Sequence, residues 1–127
     1  MRVLIADDHA RMRGAIEALV RGHLKKTDEV SQCSDGQQAV ERFRELRPDW
    51  VLMDIEMDPM DGFTASKEIL SIDPEARIIF VSQHDDQAYR EAAKELGVKG
   101  YVLKTDLLCL IPLLRSGGGK KRKVECG

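Results

Sequence analysis

The chain has 127 residues, 43% apolar and 33% charged, which suits one compact domain and excludes a disordered polymer. Its formal charge of −2 hides an asymmetry: Lys120, Lys121, Arg122 and Lys123 against Glu125 give the last eight residues +3, leaving −5 on residues 1–119. An acidic body does not hold nucleic acid with its general surface, so DNA binding is not expected of this chain itself.

In chain order, Val3-Leu4-Ile5-Ala6 is continuously apolar and predicts a strand covered on both faces. Met12, Ala15, Ile16, Leu19 and Val20 follow at three- and four-residue steps, one stripe of a helix. Residues 30–33 form a more polar strand, expected at a sheet edge. Ala39, Val40, Phe43 and Leu46 make a second stripe, closed by Pro48, and residues 50–53 a third strand. A third helix over 63–72 ends at Asp73-Pro74, and a fourth strand covers 78–81. Residues 85–96 read as a polar, alanine-rich helix with Gly97 as its C-cap, before a fifth strand at Tyr101-Val102-Leu103. Leu107, Leu110, Ile111 and Leu114 form the last stripe, in which Pro112 either kinks the helix or sits harmlessly in its first turn.

Residues 116–119, Ser-Gly-Gly-Gly, read as a flexible linker, so the expected division is a domain over 1–115 and a flexible Gly/basic tail over 116–127. Four charges on such an arm bind nucleic acid or acidic lipid only weakly, and a solvated end is the favoured reading. Cys33, Cys109 and Cys126 are odd in number and lack a C-x-x-C pair, which reads as reduced, structurally passive thiols. No apolar run approaches the ~20 residues that cross a bilayer. Asp7-Asp8 also interrupts the first apolar stretch where a signal peptide would continue, so the expected location is cytoplasmic, with no membrane partner.

Five strand–helix repeats imply an α/β domain built on an open, doubly wound parallel sheet. Such sheets bind ligands beyond the carboxyl ends of their strands. There the first strand offers Asp7-Asp8, the third Asp54, the fourth Ser82 and the fifth Lys104. Each alone has a plain explanation: Asp8 as a helix N-cap, Ser82 as a turn residue, Lys104 as a solvated charge. Together, three carboxylates on one edge repel unless a cation neutralises them. Hard oxygen ligands with room for water suit Mg²⁺, and Mn²⁺ answers to the same description. A cation beside a lysine and a hydroxyl matches the needs of phosphoryl transfer, with Asp54 as nucleophile between the acid pair and the lysine.

Leu4-Ile5-Ala6-Asp7-Asp8-His9, Val51-Leu52-Met53-Asp54-Ile55-Glu56-Met57, Met60-Asp61-Gly62, Val81-Ser82 and Gly100-Tyr101-Val102-Leu103-Lys104 stand in order on the expected elements. This set resembles the receiver domain of two-component response regulators over about residues 1–115, a flavodoxin-like (βα)5 fold of strand order 2-1-3-4-5. The resemblance implies Asp54 as phospho-acceptor, Asp8 as direct Mg²⁺ ligand, Asp7 as a ligand through water, and the Glu56 backbone carbonyl as a further ligand. It implies Lys104 as the phosphate-binding lysine, and Ser82 with Tyr101 as the switch that reshapes the face of the fourth helix, fifth strand and fifth helix. The implied partners are a sensor histidine kinase and a downstream protein or output domain, with room for a phosphorylation-dependent homodimer.

Asp8-His9 and the run 110–115 look most like receivers that precede a LuxR-type helix-turn-helix. No such domain follows, so both a stand-alone receiver and a fragment stay open. Three features depart from the family pattern. Met57-Asp58-Pro59-Met60 has its proline displaced by one and adds a carboxylate, Gln83 is long where a small residue is usual, and Thr105 follows Lys104. Glu56, Gln83 and His84 occupy places where dephosphorylation is tuned, although Glu56 and His84 read equally as solvated residues. An aspartyl phosphohydrolase is disfavoured: it needs an acid–base Asp where Glu56 stands, and a cap for which the length leaves little room. The chain is therefore read as a non-enzyme, with a phosphorylation-independent interaction module as the alternative.

Overall fold

The computed structural model describes residues 1–115; the linker and basic tail expected over 116–127, and with them Cys126, lie outside the described residues. Five strands, β1 (Arg2–Ala6), β2 (Glu29–Cys33), β3 (Trp50–Met53), β4 (Ile78–Ser82) and β5 (Gly100–Leu103), form one parallel sheet in the order β2-β1-β3-β4-β5. The helices α1 (Ala10–Arg21), α2 (Gly36–Leu46), α3 (Gly62–Ile72), α4 (Gln87–Leu96) and α5 (Leu110–Arg115) connect or follow them. The polar second strand lies at an edge, where pairing on one side only leaves room for solvated side chains.

Side chains alternate across the sheet and build two cores. Leu4, Val51, Met53, Ile78 and Phe80 pack with Phe43 of α2, Ile69 of α3 and Ala93 of α4. Val3, Ile5, Trp50, Leu52 and Val81 pack with Ile16 and Val20 of α1 and with Leu110 and Leu114 of α5. All of β3 and β4 is buried, as their unbroken apolar runs require. Each fully buried Leu, Ile or Phe adds about 2 kcal/mol of transfer free energy. Burial on both faces makes the central strands the rigid members on which the site stands.

Aspartates close three helix N-termini: Asp35 accepts from Gln38 N at 2.9 Å, Asp61 from Thr64 N at 2.7 Å, and Asp86 from Tyr89 N at 3.1 Å. The last of these sets the start of α4 at Gln87, two residues after the position the composition suggests. Gly97 ends α4 with φ 91°, the left-handed conformation expected of a glycine C-cap. The last apolar stripe splits into a 3-10 turn (Leu107–Cys109) and α5, which places Pro112 in the first turn of α5, where its missing N–H costs nothing. Ala15, expected in the first stripe, is exposed. Cys33 is a free, buried thiol, whereas Cys109 is disulfide-bonded, which corrects the reading of three reduced thiols. No helix among the described residues is long and apolar enough to cross a membrane.

Candidate functional site

The acids and the lysine meet at the carboxyl edge of the sheet because the strands extend their pairing by one residue. Asp7 N–H donates to the Cys33 carbonyl at 3.1 Å, Asp54 N–H to the Ala6 carbonyl at 2.9 Å, and Lys104 N–H to the Ser82 carbonyl at 2.7 Å. Each site residue thus inherits the rigidity of a strand. Asp7 and Asp54 are buried, at 1% and 5% exposure, while Asp8 stands at the exposed rim. Lys104 is no solvated charge: its side chain is 7% exposed, with Nζ 2.8 Å from Asp7 Oδ2 and 3.5 Å from Asp54 Oδ1. Nor is Asp8 a cap, since His9 occupies the N-cap of α1 and Asp8 Oδ1 meets His9 Nδ1 at 2.9 Å.

Three carboxylates facing one ammonium leave the pocket short of positive charge. Burial, then the neighbouring Asp7 and Asp8, push the Asp54 carboxyl up to about 6 against the opposing pull of Lys104. Lys104 supplies Asp7 with charge but not with a well-aligned bond, so the buried Oδ2 of Asp7 has no hydrogen-bond partner. Ligand atoms of Asp7, Asp8, His9 and Asp54 all lie within 4.8 Å of one another. A cluster of carboxylate oxygens with an unsatisfied buried member fits a divalent cation. Among the described residues no hydrogen bond is made to the Glu56 carbonyl, while that of Ile55 accepts from Gly62 N–H at 2.8 Å. Gly62 is required here because a Cβ would strike the Asp54 carbonyl oxygen and Ile55 Cα.

The remaining expected residues form a second group around His84. Ser82 is buried and its Oγ accepts from His84 N–H at 3.0 Å, which is the turn role. Tyr101 Oη donates to the His84 carbonyl at 2.7 Å, and its half-buried phenol is raised above its ordinary pKa by desolvation, with the Ser82 hydroxyl opposing. Glu56 and His84 are not merely solvated: His84 Nε2 lies 2.9 Å from Glu56 Oε1, and Tyr89 Oη donates to Glu56 Oε2 at 3.2 Å. That bond raises the Tyr89 phenol pKa. Gln83 is exposed. Asp58 is exposed and absent from the four-residue cluster, so it does not add a carboxylate there; the Asp58–Pro59 peptide is cis.

Two residues enter that the sequence did not single out. Arg13 Nη1 donates to the Asp7 carbonyl at 2.6 Å and its Nε to Gln32 Oε1 at 3.0 Å, tying the acid-bearing turn to the edge strand. Arg11 and Arg13 open the same helix, and only packing shows that Arg13 faces the site while Arg11 is exposed. Tyr89 is the other, a α4 residue whose reach across two loops has no sequence signal.

The domain is a doubly wound parallel α/β protein in which an acidic cluster compatible with a divalent cation and a buried lysine share the carboxyl edge of the sheet. Residues 3–109 match the response regulator receiver domain family, and the chain belongs to that family. It is 42% identical over 104 residues to the chemotaxis protein CheY of Thermotoga maritima, covering 81% of this chain and 84% of that one. A LuxR-family two-component response regulator from Aurantimonas sp. SI85-9A1 superimposes with TM-score 0.85 at 27% identity, covering 97% of this chain and 89% of that one. A chain of the CheX-CheY-BeF3-Mg+2 complex from Borrelia burgdorferi does so with TM-score 0.80 at 25% identity, covering 91% of this chain and 87% of that one. The chain is therefore a receiver domain of two-component signal transduction, as its motifs imply, with structural neighbours in the LuxR family.

Proposed function

We propose that Asp54 accepts a phosphoryl group from a sensor histidine kinase or a small acyl phosphate, in a reaction that requires Mg²⁺ or Mn²⁺ held by Asp7, Asp8, Asp54 and the Glu56 carbonyl. The observation that carries this reading is the buried Asp54 carboxylate set between an acid pair and a buried lysine, with its pKa raised to about 6. A bound divalent cation supplies positive charge to the pocket and to the incoming phosphoryl oxygens. Asp54 attacks phosphorus and forms an acyl-phosphate P–O bond while the donor's bond to phosphorus breaks. With acetyl phosphate the leaving group is acetate; with a phosphohistidine it is the imidazole, which takes up a proton. Lys104, already 3.5 Å from Asp54 Oδ1, pairs with one oxygen of the new phosphoryl group, and the Ser82 hydroxyl donates to another.

Occupying the Ser82 hydroxyl disturbs its bond from His84 N–H, and His84 in turn holds Tyr101 through its carbonyl. This chain of contacts supports a switch at the face of α4, β5 and α5, which would meet a downstream protein, an output domain or a second copy of the chain. A preference of a few kcal/mol between two arrangements suffices. Glu56, Gln83 and His84 stand at the mouth and set how readily water removes the phosphoryl group. The domain spans 1–115, works in the cytoplasm, and turns over only its own phosphoryl group, slowly.

Intact mass after incubation with acetyl phosphate, with and without Mg²⁺, tests the reading on wild type and Asp54→Asn. A Mg²⁺-dependent gain of one phosphoryl group, lost in Asp54→Asn, is expected. A folded wild-type protein that gains none refutes it.

A further inference from the structure

We propose that His9 is a direct ligand to cations in this pocket, adding an imidazole nitrogen to the carboxylates and giving the site a preference for later first-row divalent metals over Mg²⁺. The inference rests on the cation-binding reading above, and concerns a residue to which that reading gives no part.

The spacing comes first. His9 Nδ1 lies 2.9 Å from Asp8 Oδ1 and 3.5 Å from Asp7 Oδ1. A metal with bonds of ~2.1 Å sets its neighbouring ligands about 3.0 Å apart in an octahedron and about 3.4 Å apart in a tetrahedron. The nitrogen therefore stands from each of the two oxygens at about the spacing that two ligands of one ion have.

An independent observation points to an unfilled demand for positive charge. Asp7 Oδ2 is buried and lacks a hydrogen bond, although Lys104 lies beside it. The Lys104 ammonium offsets part of the cost of burying that oxygen, and a second positive centre would offset more. Other acidic side chains of the fold, such as Asp35, Asp61 and Asp86, are satisfied by the helix starts they cap.

His9 is also held in place for the task. Its N–H donates to Asp7 Oδ1 at 2.8 Å, and its backbone is extended, with φ −102° and ψ 111°. It opens α1 without a side-chain capping bond, so its ring is not used by the helix and turns to the carboxylates instead. The ring is 68% exposed, which leaves an open path for an ion from solvent.

The chemistry then separates metals. Mg²⁺ is hard and takes oxygen and water, so with Mg²⁺ the imidazole stays on Asp8. Co²⁺, Ni²⁺ and Zn²⁺ accept imidazole readily and bind a mixed nitrogen–oxygen site more tightly. A trace of such a metal would compete with Mg²⁺ for the pocket.

The test uses the full chain without an affinity tag, stripped of metal, titrated separately with Co²⁺ and Mg²⁺ at fixed pH, as wild type and as His9→Asn. The expected result is a loss of Co²⁺ affinity of at least the roughly tenfold that removal of even an outer-sphere partner costs, with a changed Co²⁺ visible spectrum. Mg²⁺ affinity should fall clearly less than Co²⁺ affinity, because His9 is only an outer-sphere partner of Asp8 when Mg²⁺ is bound. In wild type, the His9 ring nitrogen should shift in the ¹⁵N spectrum on Zn²⁺ and not on Mg²⁺, with His23 and His84 unmoved; this arm needs no variant. An unchanged Co²⁺ affinity, or an equal loss for both metals, would overturn the assignment while Mg²⁺ binding keeps the phosphoryl-acceptor reading intact. Failure of wild type to bind either metal would sink both.

Discussion

The charge shortage in the pocket makes Asp54 a source of instability, and replacing it should strengthen the metal-free fold. The folded protein holds a proton on Asp54 up to a pH of about 6, through burial first and the neighbouring acids second, against an ordinary value of 3.8. A carboxyl raised in this way favours the folded state below the unfolded-chain value, near pH 4, and loses that advantage as pH rises through about 6. The shift corresponds to about 3 kcal/mol, and screening at the open mouth brings this to about 2 kcal/mol. Asp54→Asn keeps the shape and removes the charge. In EDTA at pH 7.5 the variant should therefore melt about 8 °C above wild type, from ~4 °C per kcal/mol for a domain of this size. At pH 4 the two should coincide. Saturating Mg²⁺ should close the gap by stabilising wild type, by about 2.7 kcal/mol at a hundred times the dissociation constant. Thermal and urea denaturation between pH 4 and 8 would measure all three. A variant no more stable than wild type at pH 7.5, or a gap that persists at pH 4, would refute the electrostatic account of the site.

Lys104→Met should act in the opposite direction, because it leaves Asp7 and Asp54 buried without the one ammonium beside them among the described residues. Breaking a buried pair from one side costs about 3 kcal/mol, and added Mg²⁺ should restore part of it, as urea unfolding at pH 7.5 with and without the cation would show. Gly62→Ala should cost about 1–3 kcal/mol, since its Cβ meets the Asp54 carbonyl and Ile55 Cα, backbone that cannot move without carrying Asp54 with it. The same substitution should weaken Mg²⁺ binding, measured by calorimetry, more than its effect on stability alone would suggest; unchanged affinity would mean that Asp54 tolerates the shift.

The order of elements was readable in the chain because apolar period and burial are the same fact seen twice. Residues 50–53 and 78–81 are unbroken apolar runs, and only the middle of a parallel sheet buries such a run on both faces. The carboxyl-end positions of Asp7, Asp8, Asp54 and Lys104 followed from the same reading, since the residue after each strand must emerge on one edge. What periodicity could not supply is anything that depends on which side chain wins a contact. Asp86 and Asp85 are equal in composition, and only the bond to Tyr89 N makes Asp86 the start of α4. Pro112 was undecidable until the 3-10 turn before α5 set the beginning of that helix.

The sequence by itself thus determined the sheet and its edge of acids, because these rest on chain order and strand direction, which are one-dimensional. Tertiary structure alone decided that Lys104 is buried on Asp7 rather than solvated, that Arg13 and not Arg11 braces the acid turn, that Glu56 and His84 pair with each other and with Tyr89, and that His9 faces the carboxylates. These depend on distances of about 3 Å between residues far apart in the chain or on rotamers of neighbours. Such distances are set only when both cores are packed and each strand end has one place to stand.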